Sequence, residues 1–342
     1  MISKSRNVIQ NGNFDVWQRG TSFAAAANAV HTADRWRYTF VSSTGVATVS
    51  QDTSPPNGSS LYDIKVACTT ADATVAAGEY VYLQQRIEGT IFQMVRSKPM
   101  VLSFWVKAYQ TGTFCVGLLS SGSNETFLAE YVINASATWE KKVIVIPPIP
   151  AGTWGTGTGV AAYLNFALQC GSTFGSGAVG WQASVQVSTT NQTNLYSSTD
   201  NYFQLSQVQL EAGSSATEFE VKDPSDVLST CQRYLVHYGG ATAWERVATG
   251  VLATTAIAVY PLSLPVEMRA SPAVTYDAVG SWTCGYGANQ ISAATIITVF
   301  GVSPRNGCLS VTATGTPFTA GEASIFEANN TTAARLYLSA EI

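Results

Sequence analysis

The sequence predicts a mainly β protein: an N-terminal jelly-roll β-sandwich, a short linking α-helix and a smaller C-terminal β domain. Three observations carry that expectation. Short runs of alternating apolar and polar residues recur along almost the whole chain, separated by Gly, Pro, Asn and Ser turns. One stretch, at 223–240, breaks that rhythm with a helical apolar period. The 342 residues suffice for about two domains. The expected division is 1–222, 223–240 and 241–342.

Taken in order, the first domain offers ten candidate strands, at 47–51, 62–67, 80–86, 100–108, 113–119, 129–132, 140–146, 161–170, 181–187 and 203–211. The alternation is cleanest where Val101, Ser103, Trp105 and Lys107 interleave with Leu102, Phe104, Val106 and Ala108. Turn chemistry separates the runs, as in Pro55-Pro56-Asn57-Gly58 and Ser121-Gly122-Ser123-Asn124. Strands at this spacing without intervening helices imply a sandwich or jelly roll.

The helix is expected from its start signal. Asp223 suits the N-cap, Pro224 the first helical position, and Asp226 sits three residues after the cap. Val227, Cys231, Tyr234 and Tyr238 then form one apolar stripe, and Gly239-Gly240 supplies the stop. Beyond it, the C-terminal β-sandwich is expected to hold strands at 251–260, 273–276, 295–300, 308–313 and 334–340, with prolines between them. So small a domain leaves strand edges and an apolar stripe that partner subunits would satisfy.

Composition narrows the function. Hydrophobic residues make up 46% but charged residues only 12%, roughly half the usual share. That balance suits a β-rich extracellular or virion protein. The net charge is −4 and the 18 Lys and Arg are scattered, so no basic groove for nucleic acid is expected. The first residues lack a signal-peptide apolar region, and no apolar run is long enough to insert in a membrane, so synthesis in a cytoplasm is expected. Cysteines 68, 115, 170, 231, 284 and 308 form no CxxC, which favours free structural thiols over zinc or redox sites.

Several segments carry a resemblance. They are IQNGNFDVWQRGTSF at 9–23, TADRW at 32–36, QLEAG at 209–213, ATEFE at 216–220, CQRY at 231–234, LPVEMRASP at 264–272 and the closing LSAEI at 338–342. As an ordered set they resemble bacteriophage tail-fibre and virion-surface proteins whose first domain is a jelly roll similar to carbohydrate-binding modules. The likeness covers the edges of both domains. It implies a virion role as tail fibre, spike, head fibre or decoration protein, a homotrimer, contact with other virion proteins, and attachment to host-surface glycans. Here the jelly roll starts almost at Met1, whereas tail fibres usually carry a long anchor or shaft before such a module. A purely structural decoration protein without receptor binding remains the alternative within the class, and a glycan depolymerase the alternative outside it.

For the chemistry, Phe14 and Trp17 are expected to plug one end of the sandwich, with Asp34, Arg35 and Arg19 tying the crossing loop. The other reading of that segment is a structural Ca²⁺ on Asn13 or Asp15, although no acidic cluster accompanies them. No other metal or cofactor is expected. Sugar binding needs exposed aromatic faces beside amides and carboxylates, because a sugar presents C–H faces and hydroxyl edges. The ligand-binding candidates are Trp154 and Trp181 in the first domain, and Trp244, Trp282 and Tyr286 in the second. Trp139, Tyr196 and Tyr202 are further aromatics to weigh, while Trp36 and Trp105 are assigned to the core. Packing is the plainer reading of each aromatic. No catalytic residue is expected: Glu125 and Glu130, or Asp52 and Asp63, have nothing to pair them for glycoside cleavage. His237 is placed near the helix C-terminus, and neither it nor His31 adjoins a nucleophile motif.

Overall fold

In the first unit, alternation along each strand sends one row of side chains into a shared core and the other outward. The computed structural model describes residues 5–285, 292–315 and 317–342. The chain forms two compact units, one up to Leu228 that also takes in Ile342, the other Ser229–Glu341. The fold is mainly β, with the antiparallel sheets of a jelly-roll sandwich in the first unit.

One sheet of that sandwich runs, in spatial order, Ser22–Phe23, Val46–Asp52, Asp63–Thr70, Tyr202–Ala212, Met100–Ala108 and Glu140–Ile146. The other runs Gly180–Gln182, Thr126–Ile133, Gly112–Ser120, Val160–Cys170, Tyr80–Glu88, Trp36–Val41 and Val30–His31. Their inner faces enclose one core in which Trp36, Phe104, Phe114, Leu164 and Phe166 are buried. Phe104 meets Phe166 edge-on at 5.1 Å. Each such side chain contributes about 1.5–3 kcal/mol by leaving water.

The N-terminal segment is the expected plug. Phe14 lies 4.9 Å from Trp36, and Trp17 Nε1 donates to Phe14 O at 2.7 Å. Asp34 accepts from Gln18 N at 2.9 Å. Buried Arg35 donates from Nε to Gln10 Oε1 and from Nη2 to Arg86 O, both at 2.8 Å. Gly12 lies so close to the closing strand that a Cβ would stand 2.2 Å from Val208 O. The plug therefore ties to the Tyr80–Glu88 strand through Arg35 and abuts the Tyr202–Ala212 strand at Gly12.

Several expectations need correction. Trp105 is half-buried on the outward row of its strand, opposite Lys141, because its inward neighbours Phe104 and Val106 take the core. The expected strand at 181–187 is only Gly180–Gln182, and the chain then leaves the sheet. The helix is Pro224–Gln232, capped by Asp223 accepting from Ser225 N at 2.8 Å, and it does not reach 240. Leu235–Tyr238 is a strand instead, paired with Leu336–Ser339, so backbone pairing with the chain's end overrides the apolar stripe. His237 accordingly lies on a strand and stacks on Tyr337 at 5.7 Å, and burial pushes its pKa down.

The second unit is not a sandwich. Arg246–Leu252, Ile257–Ser263, Asn306–Ala313, Ser292–Phe300, Trp282–Gly285 and Ala323–Ala328 close into a six-stranded barrel. Beside it lies a three-stranded sheet ordered Leu235–Tyr238, Leu336–Ser339, Ala273–Tyr276. Closure pairs the barrel edges that a small open sandwich would leave free, which removes one reason to invoke partner subunits. None of the six cysteines is in a disulfide.

A candidate binding cleft on the sandwich

The cleft is built on the outward row of the Tyr80–Glu88 strand. Val81, Leu83 and Ile87 point into the core, so Tyr80, Tyr82, Gln84 and Arg86 point out. Antiparallel register then fixes their neighbours on Val160–Cys170: Tyr163 stands opposite Arg86, Asn165 opposite Gln84 and Ala167 opposite Tyr82. On the next strand Leu119 faces Tyr163 and Gly117 faces Asn165. Phe174, Val185 and Val187, from the irregular segments on either side of Gly180–Gln182, also line it. The resulting cavity has a volume of about 280 Å³.

Its floor has two chemistries. The Tyr80 and Tyr82 rings are nearly parallel, 5.4 Å apart and 5° in plane, and Phe174 meets Tyr80 edge-on at 5.2 Å. Beside them, buried Gln84 donates from Nε2 to Asn165 Oδ1 at 2.9 Å. Gln84 Oε1 in turn accepts from Arg86 Nε at 3.0 Å. The Arg86 guanidinium lies over the Tyr163 ring at 5.6 Å. Burial pushes the Tyr82 phenol up to about 12, so it stays protonated and able to donate at neutral pH. An apolar platform flanked by fixed amides, phenols and a guanidinium is suited to a flat ligand with C–H faces and polar edges.

The expected aromatics lie elsewhere. Trp154 and Trp181 do meet, edge to face at 6.0 Å, but they pack on the core, Trp154 against Phe92 and Trp181 against Phe127. Their indole N–H groups are taken by Ala151 O and Pro147 O. Trp154 still lines an open hollow with Arg96, Ser97 and Ile149. Trp244 is exposed at 47% on a left-handed turn with φ 61°. Trp282 is buried in the barrel, stacked 4.8 Å from Phe326, and so is a core residue with no face for a ligand. Tyr286 lies outside the described residues. Tyr196 is also core, its hydroxyl 2.5 Å from that of Tyr38. The signal for the cleft was present as the outward series Tyr80, Tyr82, Gln84, Arg86, two aromatics and then two polar residues, set against the inner Val81, Leu83 and Ile87.

The carboxylates also differ from expectation. Asp52 and Asp63 are direct cross-strand partners on the outer face of the other sheet. Asp63 is 0% exposed, and Gln204 Nε2 donates to its Oδ2 at 2.5 Å. Burial, reinforced by Asp52, pushes its pKa up to about 6. Ser54 straps this face: its Oγ accepts from Lys107 Nζ at 3.0 Å, its carbonyl from Trp139 Nε1 at 2.7 Å, and its N–H donates to Asp52 Oδ1 at 3.0 Å. Lys65 lies 3.8 Å from Asp52 and 4.7 Å from the Tyr202 ring centroid. Glu130 is a separate case, held by Thr189 Oγ1 and by Asn191 Nδ2 at 3.0 Å. At the plug, Asn13 Nδ2 donates to Asp15 Oδ2 at 3.1 Å, and burial raises the Asp15 pKa.

No protein-family model matches the chain, and no curated protein sequence does. Solved structures that it is similar to include the enzymatically active domain of tailspike protein 4 of Bacteriophage CBA120, at 15% identity and TM-score 0.34 over 61% of this chain. That match spans 22% of the tailspike chain. A putative sugar binding protein from Bacteroides thetaiotaomicron matches at 15% identity and TM-score 0.37, over 60% of this chain and 100% of its own. A family 11 carbohydrate-binding module from Clostridium thermocellum, in complex with a mixed-linked tetrasaccharide, matches at 9% identity and TM-score 0.32, over 57% and 98%. The neighbours are thus carbohydrate-binding-module-type folds, one of them part of a phage tailspike.

Proposed function

We propose that the chain is a non-catalytic glycan-binding protein, and that the cleft over Tyr80 and Tyr82 is where it holds a saccharide. The observation that carries this reading is the pair of near-parallel tyrosines set beside the fixed Gln84–Asn165–Arg86 row. A pyranose would lay its C–H face on the rings and direct hydroxyls to the amides and phenols. The 280 Å³ cavity volume suits one or two sugar units. No lining residue is an Asp or Glu, so the cleft itself offers no acid–base pair for cleavage.

The setting is part of the same proposal. The ordered motifs from IQNGNFDVWQRG to LSAEI support a place on the surface of a phage particle, as tail fibre, spike or head fibre, assembled as a homotrimer with other virion proteins. There the cleft would serve attachment to host-surface glycans. The test is a glycan array followed by calorimetry with the wild type and Tyr82→Ala. Saccharide binding lost in Tyr82→Ala, with the melting temperature retained, supports the reading. Binding that survives Tyr82→Ala and disappears in Trp244→Ala would move the site to the second unit. Release of shortened oligosaccharides would replace binding with depolymerisation.

A further inference from the structure

We infer that the saccharide this cleft selects is an acidic one, whose carboxylate is received by Arg86. The inference rests on the cleft being a glycan site and names the class of glycan. Arg86 is built into the floor. Its Nε is fixed by Gln84 Oε1 at 3.0 Å, Gln84 is fixed in turn by Asn165, and the guanidinium plane rests over Tyr163 at 5.6 Å. The two amides that orient it are 4% and 3% exposed, so this relay is part of the folded core and not a surface accident. From below, Arg35 Nη2 donates to the Arg86 carbonyl at 2.8 Å and pins the backbone.

What the relay leaves over is the forked end of the guanidinium. Among the described residues, no carboxylate pairs with Arg86, and its Nη groups donate to no protein acceptor. The lining residues include this one cation and no anion. A half-buried arginine is ordinarily compensated, because an unpaired charge in a partly desolvated site is costly. Elsewhere the largely shielded Lys142 meets Glu140 at 2.6 Å. Here the missing partner is best supplied by the ligand. A planar fork with two parallel N–H donors matches a carboxylate in bidentate fashion. A uronic or sialic acid provides such a group on the edge of a ring whose C–H face can lie on Tyr82. A neutral sugar hydroxyl would leave the charge uncompensated.

Calorimetry on the full-length wild type with matched probes tests this: tetragalacturonate against the neutral galactotetraose, glucuronate-containing against glucose-only tetramers, and a sialylated against a desialylated oligosaccharide. The expected result is that at least one acidic member binds about tenfold or more tightly than its neutral twin. The preference should shrink as salt rises from 50 to 500 mM, since the pairing is a charge contact. Arg86→Gln should remove the preference by weakening the acidic probe, while Arg86→Lys keeps charge without the fork and restores only part of it. Equal binding of both members of every pair, or a preference that survives Arg86→Gln, overturns the inference and leaves the glycan cleft standing. Tighter binding of sulfated than of carboxylated probes overturns the carboxylate assignment. Failure of every saccharide to bind overturns the cleft reading itself.

Discussion

The two outer faces of the sandwich use the same residue types to opposite ends. On the sheet bearing Tyr80–Glu88, half-buried tyrosines and an arginine border a cavity beside two buried amides, and the cation has no carboxylate partner among the described residues. On the sheet bearing Asp63–Thr70, tyrosine, tryptophan, amide and lysine residues also share neighbouring strands, but each is engaged by another. Lys65 meets Asp52 and Tyr202, Lys107 meets Ser54 and lies 4.8 Å over Trp139, and Gln204 donates to Asp63. The Ser54 strap seals the second face, whereas the segments carrying Phe174 and Val187 only line the first. What separates the two faces is not composition but the cavity that lies over Tyr80, Tyr82 and Arg86.

The largest test of that contrast is a pH effect on stability, confined to the sealed face. Burial holds the Asp63 pKa at about 6, above its ordinary 3.8. Between these values the native state binds the proton that the unfolded chain has released, so stability falls as pH rises from about 4 to 6 and levels off above. The shift corresponds to about 3 kcal/mol. Asp63→Asn keeps an acceptor for Gln204 and removes the charge. Urea unfolding at pH 4, 5 and 7 should show the wild type losing stability across this window and the variant lacking that loss. Glu140 works in a different range. Burial opposes its ionisation, but Lys142, Ala135 and Asn134 hold its pKa down to about 2, so its contribution is present above its ordinary value and lost only as pH falls toward 2. An identical slope in Asp63→Asn would mean the sealed face bears no such strain.

On the open face the expected change is in binding instead. Tyr82→Ala removes one ring of the platform and should weaken saccharide affinity about thirtyfold, or roughly 2 kcal/mol. Its melting temperature should fall little, because Tyr82 is half-buried and its core-side neighbours Val81 and Leu83 remain. A variant that unfolds without a specific loss of binding would make the tyrosine pair a packing device like the sealed face.

Periodicity made much of the fold legible. Outward and inward rows are explicit in Val101 to Ala108, and the plug was readable from Phe14, Trp17, Asp34 and Arg35, because local sequence sets them. What was not legible depended on register. Nothing in the sequence says that Asp52 lies opposite Asp63, or that Asn165 lies opposite Gln84, since the first pairing crosses a loop and the second joins strands separated in the chain by several others. The tryptophans misled for a related reason. Glycine-rich flanks suggested exposure for Trp282, but closure of the barrel turned that residue inward against Phe326. Helix length failed at Leu235, where strand pairing with residues a hundred positions away outweighed the local apolar period.

The smallest expected effect probes the strap directly. Trp139 donates from its indole to Ser54 O at 2.7 Å and carries Lys107 over its ring at 4.8 Å, so it holds both the strap and the lysine whose charge acts on Asp63. Trp139→Ala removes one hydrogen bond and one cation–π contact from a half-buried site, a loss of about 1–2 kcal/mol in all. Because Trp139 sits on the sealed face, saccharide affinity should not change. Lys107 and the Ser54 backbone both hold the Asp63 pKa down against burial, so freeing the lysine and loosening the strap should let that pKa rise further. The fall in stability that starts near pH 4 should therefore extend to higher pH in Trp139→Ala than in the wild type. If the variant instead lost saccharide binding with its stability intact, the sealed face would itself be a ligand surface, and the distinction between the two faces would fail.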